Sequence, residues 1–312
     1  MTEYVSIAGA NSLLGQHFLS RLAHDSKVQV LSLHDRIADQ GCSTISDSKQ
    51  WNVEPSVAKQ FSDVPLLAAE VAAKAPIMLS FLPDDRAEEI EAQHLARGTR
   101  IITHCEYARL VAPLVLPGTK PLDSTPGLLA TPNCTTAMCV PILQALHDLH
   151  GVCQTTITTL QAISGTDLPG MVAHAIHDQV IGHLEGEARS LTEELRLIFK
   201  DEFAVDAFST RVPVWRGHTI TMSITLKDNA DAETVLATLS AAENIVVSGL
   251  PTARDRFSPT GPFATVTSIR DGTRGILLVL KGDNLEMATT GLMQWALHNF
   301  ASNEQPHLSG PI

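Results

Sequence analysis

YVSIAGANSLLGQHFLSRLAH, residues 4–24, reads as a buried strand, a glycine turn and a helix. The apolar run YVSIA stops at Gly9, and HFLSRLAH repeats its apolar residues at helical spacing. A second strand, KVQVLSLH (27–34), follows directly. Strand, turn, helix, strand is the opening of a dinucleotide-binding domain. Glycine at position 9 permits a tight turn and close approach of a pyrophosphate, and the helix start supplies amide donors. Ser12 replaces the middle glycine, and Gly15 closes the turn. Gly9, Asn11, Ser12, Leu13 and Leu14 are therefore the expected cofactor contacts. His34-Asp35-Arg36 ends the second strand. An acid there suits a ribose hydroxyl and an arginine suits a 2′-phosphate. Arg36 tilts the reading to NADP, with NAD left open.

Further along, VPLLAAEVAAKA (64–75) is compatible with a helix and APIMLSFLP (75–83) with a strand ending in proline. DDRAEEIEAQHLARG (84–98) has an acidic first turn and a glycine after its end, so a helix is expected, followed by the strand TRIITHC (99–105). Residues 111–130 are Pro- and Gly-rich and read as loop. A domain of residues 1–131 is expected, completed by a C-terminal amphipathic helix at 284–302. Residues 132–283 form the second domain.

That second domain changes character. VCQTTITTLQAIS (152–164) and HTITMSITLKDNA (218–230) alternate and are Thr-rich, as strands exposed on one face are. Residues 170–200 look helical, DAETVLATLSAAEN (231–244) likewise, and 263–283 reads as a hairpin turning at Asp271-Gly272. The expected fold class is α/β, a Rossmann-like dinucleotide-binding domain plus an α+β catalytic domain. The tail from 302 is expected to be disordered.

The chain has 312 residues, 44% of them hydrophobic, enough for two cores. Its net charge of −12 argues against a nucleic-acid partner. No apolar run approaches the ~18–20 residues of a membrane span, and no secretory leader is read at the N-terminus. The five cysteines (Cys42, Cys105, Cys134, Cys139, Cys153) include no CxxC pair, which fits reduced thiols in a cytoplasmic setting. His174, His177 and His183 cluster in a helical region without matching acidic ligands, so no metal is expected.

Cys134 carries the chemistry. It stands in TPNCTTAMCVPILQALHDLHG (131–151), at the start of an expected helix whose positive end favours a thiolate. TTLQAISG (158–165) and RVPVWRGHT (211–219) bring a Gln, an Arg and a His that can gather round it for covalent acyl transfer. Cys139 and Cys153 carry no such context and are expected in the core.

PNCTT, LQAISG, RVPVWRGH and GDNL, in this order, resemble the aspartate-semialdehyde dehydrogenase family. The resemblance implies NADP-dependent reductive dephosphorylation of β-aspartyl phosphate, with phosphate and a small-molecule substrate as partners. Cys134 then matches the nucleophile, Gln161 the residue orienting the substrate, and His218 the acid/base. Asn133 would hold the acyl oxygen and Arg211 the α-carboxylate. Arg211 is taken to lie on the same strand-like segment as His218. Glu193 and Arg196 match residues for the substrate amine and phosphate, with Arg where the family has Lys. Arg109 matches a second phosphate arginine, and Asn284 a residue beside the nicotinamide. His104-Cys105-Glu106 departs from the family's Asn-Ala-Ser. The family's habit implies a homodimer or homotetramer. A reductase of another acyl phosphate, such as N-acetylglutamyl phosphate, and a non-catalytic binding paralogue are the alternatives. The first usually has Gly-Cys rather than Asn-Cys, and the second would be expected to have lost Cys134 or His218.

Overall fold

The computed structural model describes residues 2–36, 43–45, 55–116, 127–166, 173–242, 245–248, 264–294 and 296–297. The chain divides into two compact units. The first takes the described residues of Met1–Ala108 and Ala112–Thr131 and those from Leu292 onward; the second takes Arg109–Val111 and Pro132–Gly291.

The first unit is built on six parallel strands: β1 (Glu3–Ala8), β2 (Val28–His34), β3 (Leu66–Leu67), β4 (Ile77–Ser80), β5 (Arg100–Thr103) and β6 (Leu128–Ala130). Their order is β3-β2-β1-β4-β5-β6. Chain order reverses between β1 and β4, which is the topological switch point where doubly wound sheets bind dinucleotides. β4, and β1 from Val5 onward, are buried on both faces, as central parallel strands are. Helices α1 (Leu13–Leu22), α2 (Pro55–Gln60) and α3 (Asp84–Ala96) belong to this unit. Met293, Ala296 and Leu297, from the far end of the chain, join its core beside Ile7, Phe18 and Leu79.

The turn after β1 shows why glycine is required there. Gly9 has φ +69°, and a Cβ on it would collide with the Phe81 carbonyl. A Cβ on Gly15 would collide with the Gly9 carbonyl. Ser12 caps α1 by accepting from Gly15 N at 3.0 Å and donates to Gly9 O at 2.8 Å.

The second unit holds a mixed sheet ordered β10-β11-β12-β9-β7-β8. Its strands are β7 (Val152–Gln161), β8 (Ala204–Arg211), β9 (His218–Leu226), β10 (Ile245–Val247), β11 (Ala264–Gly272) and β12 (Gly275–Gly282). Helix α4 (Cys134–His150) packs against β7, β9 and β11, with α6 (Glu187–Ile198) and α7 (Ala232–Ala241) beside it. α5 (Ala173–Ile176) is a single turn. Inward residues such as Ile157, Ile220, Met222 and Leu280 are buried. The outward positions Thr156, Thr158, Thr219 and Thr221 stay partly accessible, and Phe208 on the edge strand is 65% exposed.

Several sequence expectations are corrected. Residues 64–75 are no helix; they give β3 and a turn, because Leu66-Leu67 pairs with Leu33-His34. The β11–β12 hairpin turns at Thr273-Arg274, since Gly272 and Gly275 are already paired. Arg211 and His218 lie on different strands, β8 and β9, on opposite sides of β7. Cys139 is buried as expected, but Cys153 is exposed. The last helix is α8 (Asn284–Glu286) continued by a π-helix over Met287–Gln294. The tail beyond 302 lies outside the described residues.

Candidate active site

Five strand and helix ends of the second unit converge around Cys134. Asn133 caps α4: its Oδ1 accepts from Thr135 N at 3.0 Å. Cys134 is thus the first residue of the helix, half-buried, and its Sγ–H donates to Asn133 Oδ1 at 3.5 Å. Gln161 ends β7 and Arg211 ends β8, in register with each other. His218 begins β9. All three are buried.

The histidine has one defined tautomer. Ala162 N donates to His218 Nδ1 at 3.0 Å, so Nδ1 carries no proton and Nε2 carries it. Nε2 has no hydrogen-bond partner among the described residues. Burial, and then Arg211, hold the imidazole neutral, lowering its pKa to about 3. A neutral ring with a proton on Nε2 donates from that atom; it does not accept the thiol proton there. In this tautomer the ring presents a donor to the site, where the sequence leads one to expect both an acid and a base.

Cys134 also departs from expectation. Its thiol is pushed up to about 12, first by burial and then by Glu187. Arg109, the Thr135 amide and Arg211 act in the opposite direction but do not outweigh these. The helix start favours a thiolate, as the sequence suggests, yet loss of hydration is the larger effect.

Two glutamates on α6 complete the cluster, and neither is Glu193. Glu187 Oε2 accepts from Asn133 Nδ2 and from Gln161 Nε2, each at 3.1 Å. Glu194 accepts Asn133 N at 2.8 Å and Ser190 Oγ at 2.7 Å, and lies 3.8 Å from Arg109 Nη1. Residues 187, 190, 191, 194 and 195 share one helical face, the one packed inward. Glu193 and Arg196 lie off it. Arg196 is exposed and bonded to Asp201 at 2.6 Å, so it does not join the Cys134 cluster. The resemblance pointed to Glu193 and Arg196; the seven-residue spacing of Glu187 and Glu194 along the buried stripe was the better signal.

Asn284 is hydrogen-bonded within the second unit. Its Oδ1 accepts from Gly217 N at 3.1 Å and its Nδ2 donates to Ser164 Oγ at 3.1 Å. It ties the 163–165 turn to the segment before His218. Arg216, missed in the sequence, anchors the same corner through Asp283 at 2.7 Å and Glu286 at 3.1 Å.

In the first unit, Asn11 N donates to Asp35 Oδ2 at 2.9 Å, and Gln16 Nε2 to Asn11 O at 2.8 Å, which fixes the glycine turn. Leu14 packs on the core, and Leu13 is partly accessible. Arg36 is exposed and held by Asp85 at 3.0 and 3.3 Å. His104 Nδ1 meets Thr131 Oγ1 at 2.7 Å.

Residues 143–287 match the family model described as "Semialdehyde dehydrogenase, dimerisation domain". The aspartate-semialdehyde dehydrogenase of Archaeoglobus fulgidus is 30% identical over 93% of this chain and 96% of its own length. That of Methanothermobacter thermautotrophicus is 27% identical over 74% and 73%. Among solved structures, the Candida albicans aspartate semialdehyde dehydrogenase with NADP superposes with a TM-score of 0.82 at 21% identity, covering 97% of this chain and 99% of that one. The Vibrio cholerae aspartate semialdehyde dehydrogenase II complexed with ASA gives 0.79 at 18% identity, covering 98% and 100%. The two structural likenesses carry the α/β fold. Among the described residues, no helix is long and apolar enough to cross a membrane.

Proposed function

The chain belongs to the aspartate-semialdehyde dehydrogenase family, and from that membership we propose that it reduces β-aspartyl phosphate to aspartate semialdehyde with NADPH, through a thioester on Cys134. The observation that carries this reading is the opposite-charge pair beside the thiol. Arg211 is a buried cation with Nε unpartnered among the described residues, and Glu187 is a carboxylate on the site's amides. An amino-acid substrate presents an α-carboxylate and an α-ammonium to such a pair. An N-acetylated substrate offers Glu187 no cation, which disfavours the N-acetylglutamyl alternative.

In this reading the Cys134 thiol loses its proton to water, Sγ attacks the acyl carbon, the C–O bond to phosphate breaks, and the thioester stays on Sγ. Arg109 is assigned to the departing phosphate, Asn133 and Gln161 to the orientation of the acyl group. His218 holds a proton on Nε2 that has no acceptor among the described residues. That N–H is placed to donate a hydrogen bond to the oxyanion that forms as the thioester is reduced, and collapse of that oxyanion breaks the C–S bond, releasing the aldehyde and the Cys134 thiolate. The Gly9–Gly15 turn is a cradle that side chains would fill, and it fits a dinucleotide pyrophosphate. NADPH, when bound there, supplies the hydride. The dimerisation-domain match and the accessible Thr-rich sheet face support a homo-oligomer, dimer or tetramer.

The test is phosphate-dependent reduction of NADP⁺ by L-aspartate-β-semialdehyde, run beside NAD⁺ and beside Cys134→Ala. Turnover that the variant abolishes supports the reading. A folded protein inactive with both cofactors sinks the aspartyl assignment.

A further inference from the structure

Glu187 does more in this geometry than await an ammonium group. It is the first residue of α6, behind Gly186 at φ +81°, a left-handed position suited to glycine. Because its Oε2 takes Asn133 Nδ2, the Asn133 side chain is fixed with Oδ1 on the other side. There Oδ1 accepts Thr135 N and Thr135 Oγ1, both at 3.0 Å, and the Cys134 thiol at 3.5 Å. Carboxylate, amide and thiol form one chain of hydrogen bonds. A thiolate at Cys134 has no proton to give to Oδ1. It would instead face a carbonyl lone pair, with the carboxylate beyond. The charged side chains acting on Cys134 are Glu187, which opposes its ionisation together with burial, and Arg109 and Arg211, which favour it. Glu194, from the same helix, reaches Asn133 N at 2.8 Å, and burial raises its carboxyl above the ordinary range.

We propose that Glu187 is a positioning residue that, through Asn133, keeps Cys134 a thiol in the resting enzyme, and that an α-ammonium ligand reaching Glu187 lifts this restraint. The proposal rests on reading Cys134 as the nucleophile. It links recognition to activation: a ligand with the right cation removes the negative field from Sγ, the S–H bond breaks, and the proton passes to water. By linkage, that ligand binds the thiolate form more tightly by the same factor. Between turnovers the thiol is kept in the form least open to alkylation and oxidation.

The test follows the thiolate's ultraviolet absorbance against pH, with Cys134→Ser as the blank. Glu187→Gln keeps the volume and an acceptor oxygen but removes the charge. Its Cys134 midpoint should fall by about one pH unit or more, giving roughly tenfold more thiolate below both midpoints. Glu187→Asp, which keeps the charge, should stay near wild type. A Glu187→Gln midpoint that is unchanged or higher overturns the masking. A second arm needs no variant at position 187. L-2-Aminobutyrate, followed by calorimetry, should raise the thiolate signal of the wild-type enzyme, and butyrate, lacking the ammonium, should not. Failure of aminobutyrate to bind, or binding without a rise, overturns the release. Neither arm uses an acyl phosphate or a nicotinamide, so their failure is separable from failure of the proposed reaction.

Discussion

Replacing Gly165 with alanine tests how closely Arg211 and His218 are placed. Gly165 ends the short 3₁₀ turn after Gln161, and its backbone is outside the left-handed region, so alanine is not strained by φ. The cost is contact. The new Cβ would lie 2.8 Å from Arg211 Nη1 and 3.4 and 3.5 Å from His218 Cε1 and Nε2. Arg211 is the atom that must give, and it is 4% exposed and bonded to Ala162 O at 2.8 Å. Overpacking of this kind costs about 1–3 kcal/mol, and the end of a long side chain belongs at the low end. A melting shift of about 2 °C per kcal/mol or less follows for a chain of 312 residues. The effect on turnover is larger, because a misplacement of ~1 Å in a catalytic constellation costs on the order of 100-fold. The assay is kcat/KM for aspartate semialdehyde beside the melting temperature, with Gly182→Ala as control, since a Cβ there meets nothing within 4 Å. Full activity in a folded Gly165→Ala enzyme would refute the placement of Arg211 and His218 at the reacting group.

Asp85→Asn should free Arg36 and raise selectivity for NADP⁺ over NAD⁺ by roughly two- to fivefold, the worth of an exposed pair, read as dissociation constants by fluorescence titration. His218→Asn removes the Nε2 proton and should lower kcat by ~10²–10⁴-fold while Cys134 still forms its thioester, seen by intact mass. Buried Glu91 is held by Thr103 at 2.8 Å and Tyr107 at 2.6 Å, and burial raises its carboxyl above the ordinary 4.5. A raised acid destabilises the fold as pH climbs above the unfolded value, so Glu91→Gln should gain in melting temperature over wild type from about pH 4.5 upward. A gap that narrows with rising pH would contradict this.

The Rossmann-like half was legible because its signals are local. Gly9 and Gly15 stand where a side chain would strike backbone, and α3 announces itself by its acidic start and Gly98. β3 was missed because two residues paired with Leu33-His34 carry no periodicity of their own. In the second half the Thr alternation exposed β7 and β9, but β8 hid its pairing with β7, so Arg211 and His218 were joined along one strand. Cys134, Gln161, Arg211 and His218 stood out through their motifs. Glu187 did not: its role depends on a turn of α6 reaching Asn133 and Gln161, 54 and 26 residues away in sequence. The protonation states were hidden for the same reason. A helix start and an imidazole suggest a thiolate and a base, whereas burial makes the one a thiol and the Ala162 amide makes the other a donor.

The most direct measurement of the central claim mixes the enzyme with NADP⁺ and aspartate semialdehyde in the absence of phosphate, and follows cofactor reduction together with intact mass. The account predicts a burst of one reduced cofactor per active chain and one aspartyl group on the protein, mapped to Cys134 and released when phosphate is added. Continuous turnover without phosphate, or a burst with no adduct on Cys134, would contradict it.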